Sequence, residues 1–253
     1  MASIKLQTDI DLDDPMLIEG LPGVGLVGKI ATDHLIDTFD MTYYASVQCG
    51  GLPSVAVYRG DDSVLRPPVR LYADAERDLL VLHSDVPISS DSTETFASCI
   101  VDWIAANGIT PLFLSGLPEQ GVADGEIGTE NSPELFGVAT GDGISHLDRE
   151  GIVPPRQSGL VSGPTGALLH EAIGANLTGV GLIVEANPQF PDPKASRVLL
   201  EHGISPIADI DIDTTSLIEQ AEEIREARER FAKRMQQAQT EESSQAQPLR
   251  GFQ

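Results

Sequence analysis

Apolar positions along the chain fall into short blocks with two different rhythms. Met16 to Glu19 is an apolar run. The glycine-rich stretch Gly20 to Gly28 follows, and from Lys29 to Phe39 the residues Ile30, His34, Leu35 and Ile36 recur at helical spacing. That order predicts strand, tight turn, helix. Aliphatic and β-branched runs at Thr42 to Val47, Ser54 to Tyr58, Val69 to Tyr72, Leu79 to Leu82, Pro111 to Ser115 and Val180 to Val184 predict further strands. Thr93 to Ala106, Gly166 to Ala175 and Pro193 to Glu201 predict helices. Strands interleaved with helices predict an α/β domain over residues 1–212, a sheet covered by helices. Pro118 to Pro133, rich in glycine and acids, predicts a surface loop.

The rhythm changes near Thr214. Leu217, Ala221, Ile224, Arg228, Phe231, Met235 and Ala238 are spaced alternately four and three apart, the a/d pattern of a coiled-coil seam. At 1.5 Å per residue the helix predicted for 213–239 would be on the order of 35 Å long. Two readings stay open: a coiled-coil or oligomer helix using Leu217, Ala221, Ile224, Phe231 and Met235, and one amphipathic helix folded back on the α/β body. Arg228 on the seam weighs against the first. Residues 240–253 begin with the polar TEESSQAQP, which lacks apolar anchors and predicts a flexible tail, and end Leu249, Arg250, Gly251, Phe252, Gln253. An aromatic side chain after such a stretch has no local partner, which points to docking elsewhere.

Charge narrows the function classes. In 253 residues, 16 Lys and Arg face 39 Asp and Glu, a formal net charge of −23. Scattered cations in that acidic excess exclude a general nucleic-acid binder and disfavour anionic membrane surfaces. Only Lys5, Lys29, Lys194 and Lys233 are lysines; the other basic residues are arginines. This pattern suits a salt-loving archaeon, because at molar salt the Debye length falls to about 3 Å and an acidic surface repels itself little. No run approaches the ~20 apolar residues of a spanning helix, and the N-terminus lacks signal-peptide character, so a cytoplasmic protein is expected. Cys49 and Cys99 form no close-spaced pair; neither a disulfide framework nor a zinc site is expected, and a reduced interior is the simpler reading.

Several chemical motifs are partly matched. Gly23, Gly25 and Gly28 form G-x-G-x-x-G between a predicted strand and helix, where a dinucleotide fingerprint would stand. The next strand, however, ends in Gln48 and Cys49 rather than an acid for the ribose, and Pro22, Val24, Leu26 and Val27 make the turn look built to pack. As a phosphate loop, Gly23 to Lys29 lacks the following Ser or Thr, since Ile30 stands there. His34, His83, His146, His170 and His202 are isolated in sequence. His170-Glu171 is not extended into H-E-x-x-H, and Gly159 to Gly163 has the wrong spacing for a G-x-S-x-G elbow. His83 and Asp85 fall at a strand end, where active sites often lie. No cofactor or metal is expected.

Three strings together resemble the proteasome assembly chaperone family, the type-two branch with its archaeal members. The first is Gly20-Leu-Pro-Gly-Val-Gly-Leu-Val-Gly-Lys-Ile-Ala-Thr-Asp-His-Leu-Ile36. The second is Gly159-Leu-Val-Ser-Gly-Pro-Thr-Gly-Ala-Leu-Leu169, containing Gly163 and Gly166. The third is Val184-Glu185-Ala186 with Pro191 to Leu199. The resemblance covers roughly Pro15 to Ala208. It implies an α/β fold akin to nucleoside phosphorylases, homo-oligomerisation, and binding to proteasome core α-subunits rather than catalysis. It also implies a role for the tail: Phe252 as the aromatic of a docking motif and Gln253 as the residue whose α-carboxylate meets a pocket lysine. Gly251 departs from that pattern, which wants a hydrophobic residue there. The alternative is a small-molecule enzyme of nucleoside-phosphorylase-like fold, or a nucleotide-binding protein using the Gly23 to Gly28 turn.

Overall fold

A computed structural model of the chain describes residues 3–60, 62–118 and 132–221. Among these residues the strands and helices follow the order β1 (Ser3–Leu6), β2 (Met16–Gly20), α1 (Val27–Thr38), β3 (Thr42–Gln48), β4 (Val57–Arg59), β5 (Asp62–Arg66), β6 (Val69–Asp74), β7 (Leu79–Ser84), α2 (Thr93–Ala106), β8 (Thr110–Pro118), β9 (Leu135–Thr140), α3 (Ile144–Glu150), α4 (Gly163–Gly174), β10 (Gly179–Ala186), α5 (Pro193–Leu199) and α6 (Ser205–Ala208). Eight strands form one sheet in the order β1-β3-β6-β7-β2-β8-β10-β9, and β4 and β5 make a separate pair. The pairings β7–β2, β2–β8 and β8–β10 are parallel. Those of β1, β3, β6 and β7 with one another and of β9 with β10 are antiparallel. The expected sheet covered by helices is therefore present, and its strand directions are mixed.

Alternation along the central strands explains the layers. Leu17 and Ile18, adjacent on β2, point to opposite faces. Ile18, Val81, Leu112 and Leu182 pack against α1, α3, α5 and α6 on one side. Leu17, Leu80, Leu82 and Phe113 pack against Phe96, Ile100 and Ile104 of α2 and Leu168 and Ala172 of α4 on the other. Strands β6 and β7 are buried at every position, as a sheet covered on both faces requires. α5 starts where Asp192 accepts from the Ala195 N–H at 3.0 Å and Pro193 supplies a preset first turn. It runs into a π-helical turn at Leu200–Ile204 rather than ending near Glu201.

Some expectations need correction. The extended stretch expected at Ser54 to Tyr58 lies instead at Val57–Arg59 and belongs to the separate pair. α1 and α4 begin earlier than their apolar spacing indicates, at Val27 and Gly163, because the glycine turns pass directly into helix. Most of the loop expected from Pro118 to Pro133 lies outside the described residues. The largest correction concerns the cysteines. Cys49 and Cys99 are joined in a disulfide with Cα atoms 6.1 Å apart, not held as separate reduced thiols. Fifty residues separate them in sequence. The fold lays the end of β3 against α2 in one apolar layer and so brings the sulfurs together.

The segment after α6 returns to the body. His34 of α1 bonds the Asp213 carbonyl at 2.7 Å, Thr214 is buried, and a helical stretch occupies 215–221. Its first seam residue, Leu217, is 1% exposed within the α1-side core. Ala221 is half-buried.

Candidate functional site

Strands β2, β8 and β10 run parallel and end side by side. Over their carboxyl ends opens a cleft of about 1110 Å³. One wall is the turn Leu21 to Gly28, which leads into α1. The other is the stretch 155–165, which leads into α4, and the floor includes Leu114 to Pro118, Ile183 and Glu185. α1 and α4 cover opposite faces of the sheet, so the cleft lies where the connections diverge, the position at which open α/β sheets hold ligands.

Close packing accounts for the glycines of the first wall. A Cβ at Gly20 would lie 1.9 Å from the Thr32 hydroxyl oxygen, so β2 touches α1 at a point no side chain could occupy. Gly25 adopts φ of +63° next to Ala186, and its carbonyl accepts from the Asp192 N–H at 2.8 Å, tying the turn to the start of α5. Leu26 is left-handed immediately before α1, and the Val24 carbonyl lies against Gly116 of β8. Pro22, Gly23, Gly28 and Gly163 line the cleft, and Gly166 sits in the first turn of α4.

Glu19, the penultimate residue of β2, is fully buried. Its Oε1 accepts from the Leu21 N–H at 2.9 Å and its Oε2 from the Leu114 N–H at 3.1 Å; the Thr165 hydroxyl lies 3.2 Å from both oxygens. One carboxyl group thus links β2, β8 and α4 at the root of both walls. Burial pushes its pKa up to about 7, against the opposing pull of the Leu21, Leu114 and Thr165 hydrogen bonds. At the rim Arg156 pairs with Glu134 at 2.6 Å, and the Glu134 N–H donates to Glu185 at 3.2 Å.

A second polar cluster lies at the end of β7. Arg70 and His83, cross-strand partners on β6 and β7, are both 0% exposed. The Arg70 guanidinium pairs with Asp85 at 2.6 Å, donates to the Pro67 carbonyl at 2.6 Å and to the Tyr72 hydroxyl at 3.1 Å, and reaches His83 Nδ1 at 3.4 Å. His83 Nε2 meets Asp33 at 2.8 Å. Lys29 Nζ also lies 3.1 Å from Nε2, so that nitrogen faces both an ammonium donor and a carboxylate acceptor. Lys29 pairs with Asp33 at 2.9 Å. Burial works to raise the Asp33 pKa, but the His83 and Lys29 bonds and charges together hold it below the usual carboxylate range. The cluster fastens α1 to the antiparallel half of the sheet.

His83 and Asp85, singled out as strand-end residues, thus belong to this cluster and not to the cleft. Sequence reasoning assigned no role to Glu19, Thr165, Arg70 or Asp33. Two signals were available: a lone acid closing the run Met16 to Gly20, and a lone arginine inside Val69 to Tyr72. Among the described residues no group of three or more His, Cys, Asp or Glu is placed to hold a metal ion, and no helix is long and apolar enough to cross a membrane. Ile224, Phe231, Met235, Gly251, Phe252 and Gln253 lie outside the described residues.

Comparison with known proteins covers nearly the whole chain. A model of the PAC2 family matches residues 17–232. An uncharacterized protein of Methanocaldococcus jannaschii is 30% identical over 216 residues, spanning 85% of this chain and 84% of the relative. The fold is shared with Pyrococcus furiosus PbaA, an archaeal homolog of proteasome-assembly chaperone, at TM-score 0.75 and 23% identity, over 96% of this chain and 97% of that one. It is shared too with Pyrococcus furiosus PbaB, an archaeal proteasome activator, at TM-score 0.73 and 24% identity, over 91% and 98%. With the family strings at Gly20, Gly159 and Val184 placed around one cleft and its neighbouring helices, the chain belongs to the PAC2 family.

Proposed function

We propose that this protein is a non-enzymatic, cytoplasmic homo-oligomer that assists proteasome assembly or binds the assembled core, docking on α-subunits through Phe252 and Gln253. The observation that carries this reading is the match in fold, over nearly full length, to an archaeal proteasome-assembly chaperone homolog and an archaeal proteasome activator. The glycine turn supports it in part. Its left-handed Gly25 and Leu26 and the approach of Val24 to Gly116 serve contacts with β8, β10 and α5, which leaves the family signature a structural explanation without a nucleotide.

Energetics favour several tails acting together. Burying Phe252 contributes roughly 2 to 3 kcal/mol, and a carboxylate pair contributes less at the high salt that the acidic composition suggests. One tail therefore binds weakly, whereas several on one oligomer raise avidity by about 10² to 10⁴. The test is core-particle capture with the intact chain and with a chain lacking Gly251 to Gln253. Recovery is expected to fall at least about tenfold without the tail, and equal recovery would exclude the tail from the mechanism.

The cleft favours a second reading, a binder or enzyme of small metabolites, because it lies at the ligand position of an α/β sheet above a carboxyl group with a near-neutral pKa. Thermal-shift measurements with nucleosides, nucleotides and phosphate separate the two. A shift abolished by filling the cleft with Gly23→Trp supports the metabolite reading.

A further inference from the structure

The disulfide stands at the root of an exposed apolar excursion. After Cys49 the chain leaves the main sheet, forms the β4–β5 pair and returns at Pro67. This excursion makes no ladder with the eight-stranded sheet. Tyr58 is 77% and Leu65 65% exposed, and Val55 and Val64 are exposed as well. A two-stranded pair is marginal by itself, so its position depends on how its two ends are held.

The ends are held by different chemistry. At the return, the Pro67 carbonyl accepts from the buried Arg70 at 2.6 Å, the Pro68 carbonyl accepts from the Asp85 N–H at 3.0 Å, and Arg66 lies over the Tyr43 ring. At the departure the attachments to α2 and the turn before it are the disulfide from Cys49 to Cys99 and, two residues on, the Ser92 hydroxyl donating to the Gly51 carbonyl at 2.7 Å. Gly51 stands at φ of +83°, with Ser92 filling the place a Cβ would need. Cys49 is buried, while Cys99 on α2 is half-buried and offers an attacking thiol its approach.

We propose that the Cys49–Cys99 disulfide is a redox latch that sets the position of the β4–β5 pair. A dithiol reductant attacks Cys99 Sγ and Cys49 leaves as thiolate. The reductant's second thiol then resolves the mixed disulfide, leaving two protonated cysteines and one oxidised dithiol, with two electrons transferred. The departure end then rests on the Ser92–Gly51 bond and apolar packing, while the Arg70 end stays fixed, and the exposed apolar residues gain freedom to move about that end. The latch is independent of the proteasome reading.

Alkylation and mass spectrometry of protein prepared without reductant should find no free thiol; two free thiols in the folded protein would overturn the proposal. Hydrogen exchange with and without dithiothreitol then tests the consequence. Exchange over residues 50–66 is expected to rise at least about tenfold on reduction while β2, β8 and α1 stay protected. No change, or a uniform rise across the body, would defeat it. The double variant Cys49→Ser with Cys99→Ser should show the raised exchange without reductant and no response to it; low exchange in that variant would also count against the latch.

Discussion

The parallel and antiparallel halves of the sheet use their buried polar groups in opposite ways. Around β2, β8 and β10 a single acid, Glu19, faces two main-chain N–H groups and a hydroxyl, with no cation among those partners. Around β6 and β7, Arg70, Asp85, His83, Asp33 and Lys29 neutralise one another across two strands and a helix. The first arrangement lets neutral backbone approach closely beside a cleft. The second fastens a helix and the return of an excursion to the sheet. The first also carries a carboxyl group whose pKa burial pushes up to about 7.

Substituting each centre sharpens the contrast. Arg70→Leu should have the largest effect, about 3 to 5 kcal/mol lost in urea denaturation, because it strands Asp85, the Pro67 carbonyl and the Tyr72 hydroxyl in or near the interior. A loss under 1 kcal/mol would show the cluster to be ornamental.

Glu19 gives the next effect and a different signature. Burial holds its folded pKa at about 7, above the 4.5 of a solvated glutamate side chain, so the folded state holds the proton more tightly. The contribution is fully present below pH 4.5 and lost as pH rises through 7, amounting to about 3 kcal/mol by pH 8. Glu19→Gln should flatten this decline in denaturation midpoints between pH 5 and 8; an unchanged slope would assign the pH dependence to other groups.

The turn glycines supply the smallest effects and separate two kinds of position. Gly20→Ala should cost roughly 2 to 3 kcal/mol through overpacking on Thr32, whereas Gly23→Ala, with nothing within 4 Å of the added carbon, should stay within about 0.5 kcal/mol. Equal costs at both would dissolve the packing account of the turn.

Much of the fold was legible because its signals are local. The apolar spacing from Thr93 to Ala106 marks α2 at both ends. Strands β6, β7, β8 and β10 announce themselves as apolar runs. Shorter or mixed elements were not: Ser3–Leu6 has four residues, β5 carries charged ends that read as loop, and β9 interrupts its run with a glycine. The polar clusters were less legible still. Lys29 and Asp33 stand one helical turn apart and could be paired on paper, but His83 joins them only through the fold, and Arg70 joins His83 only through strand register. The cysteines share no pattern until β3 is laid against α2. The cleft itself is a product of topology, visible only once α1 and α4 are known to leave on opposite sides.

Burial of Leu217, with Thr214 beside it, gives residues 222–253 a fixed point of departure on the α1 side of the molecule. A polypeptide advances at most 3.3 to 3.6 Å per residue, so Phe252 can lie no farther than about 110 Å from Ala221 whatever path it takes. A surface engaged by this aromatic ring must therefore fall inside a sphere of that radius centred on the departure point. Where two copies engage one target, their departure points must lie close enough for both spheres to enclose the pockets they fill.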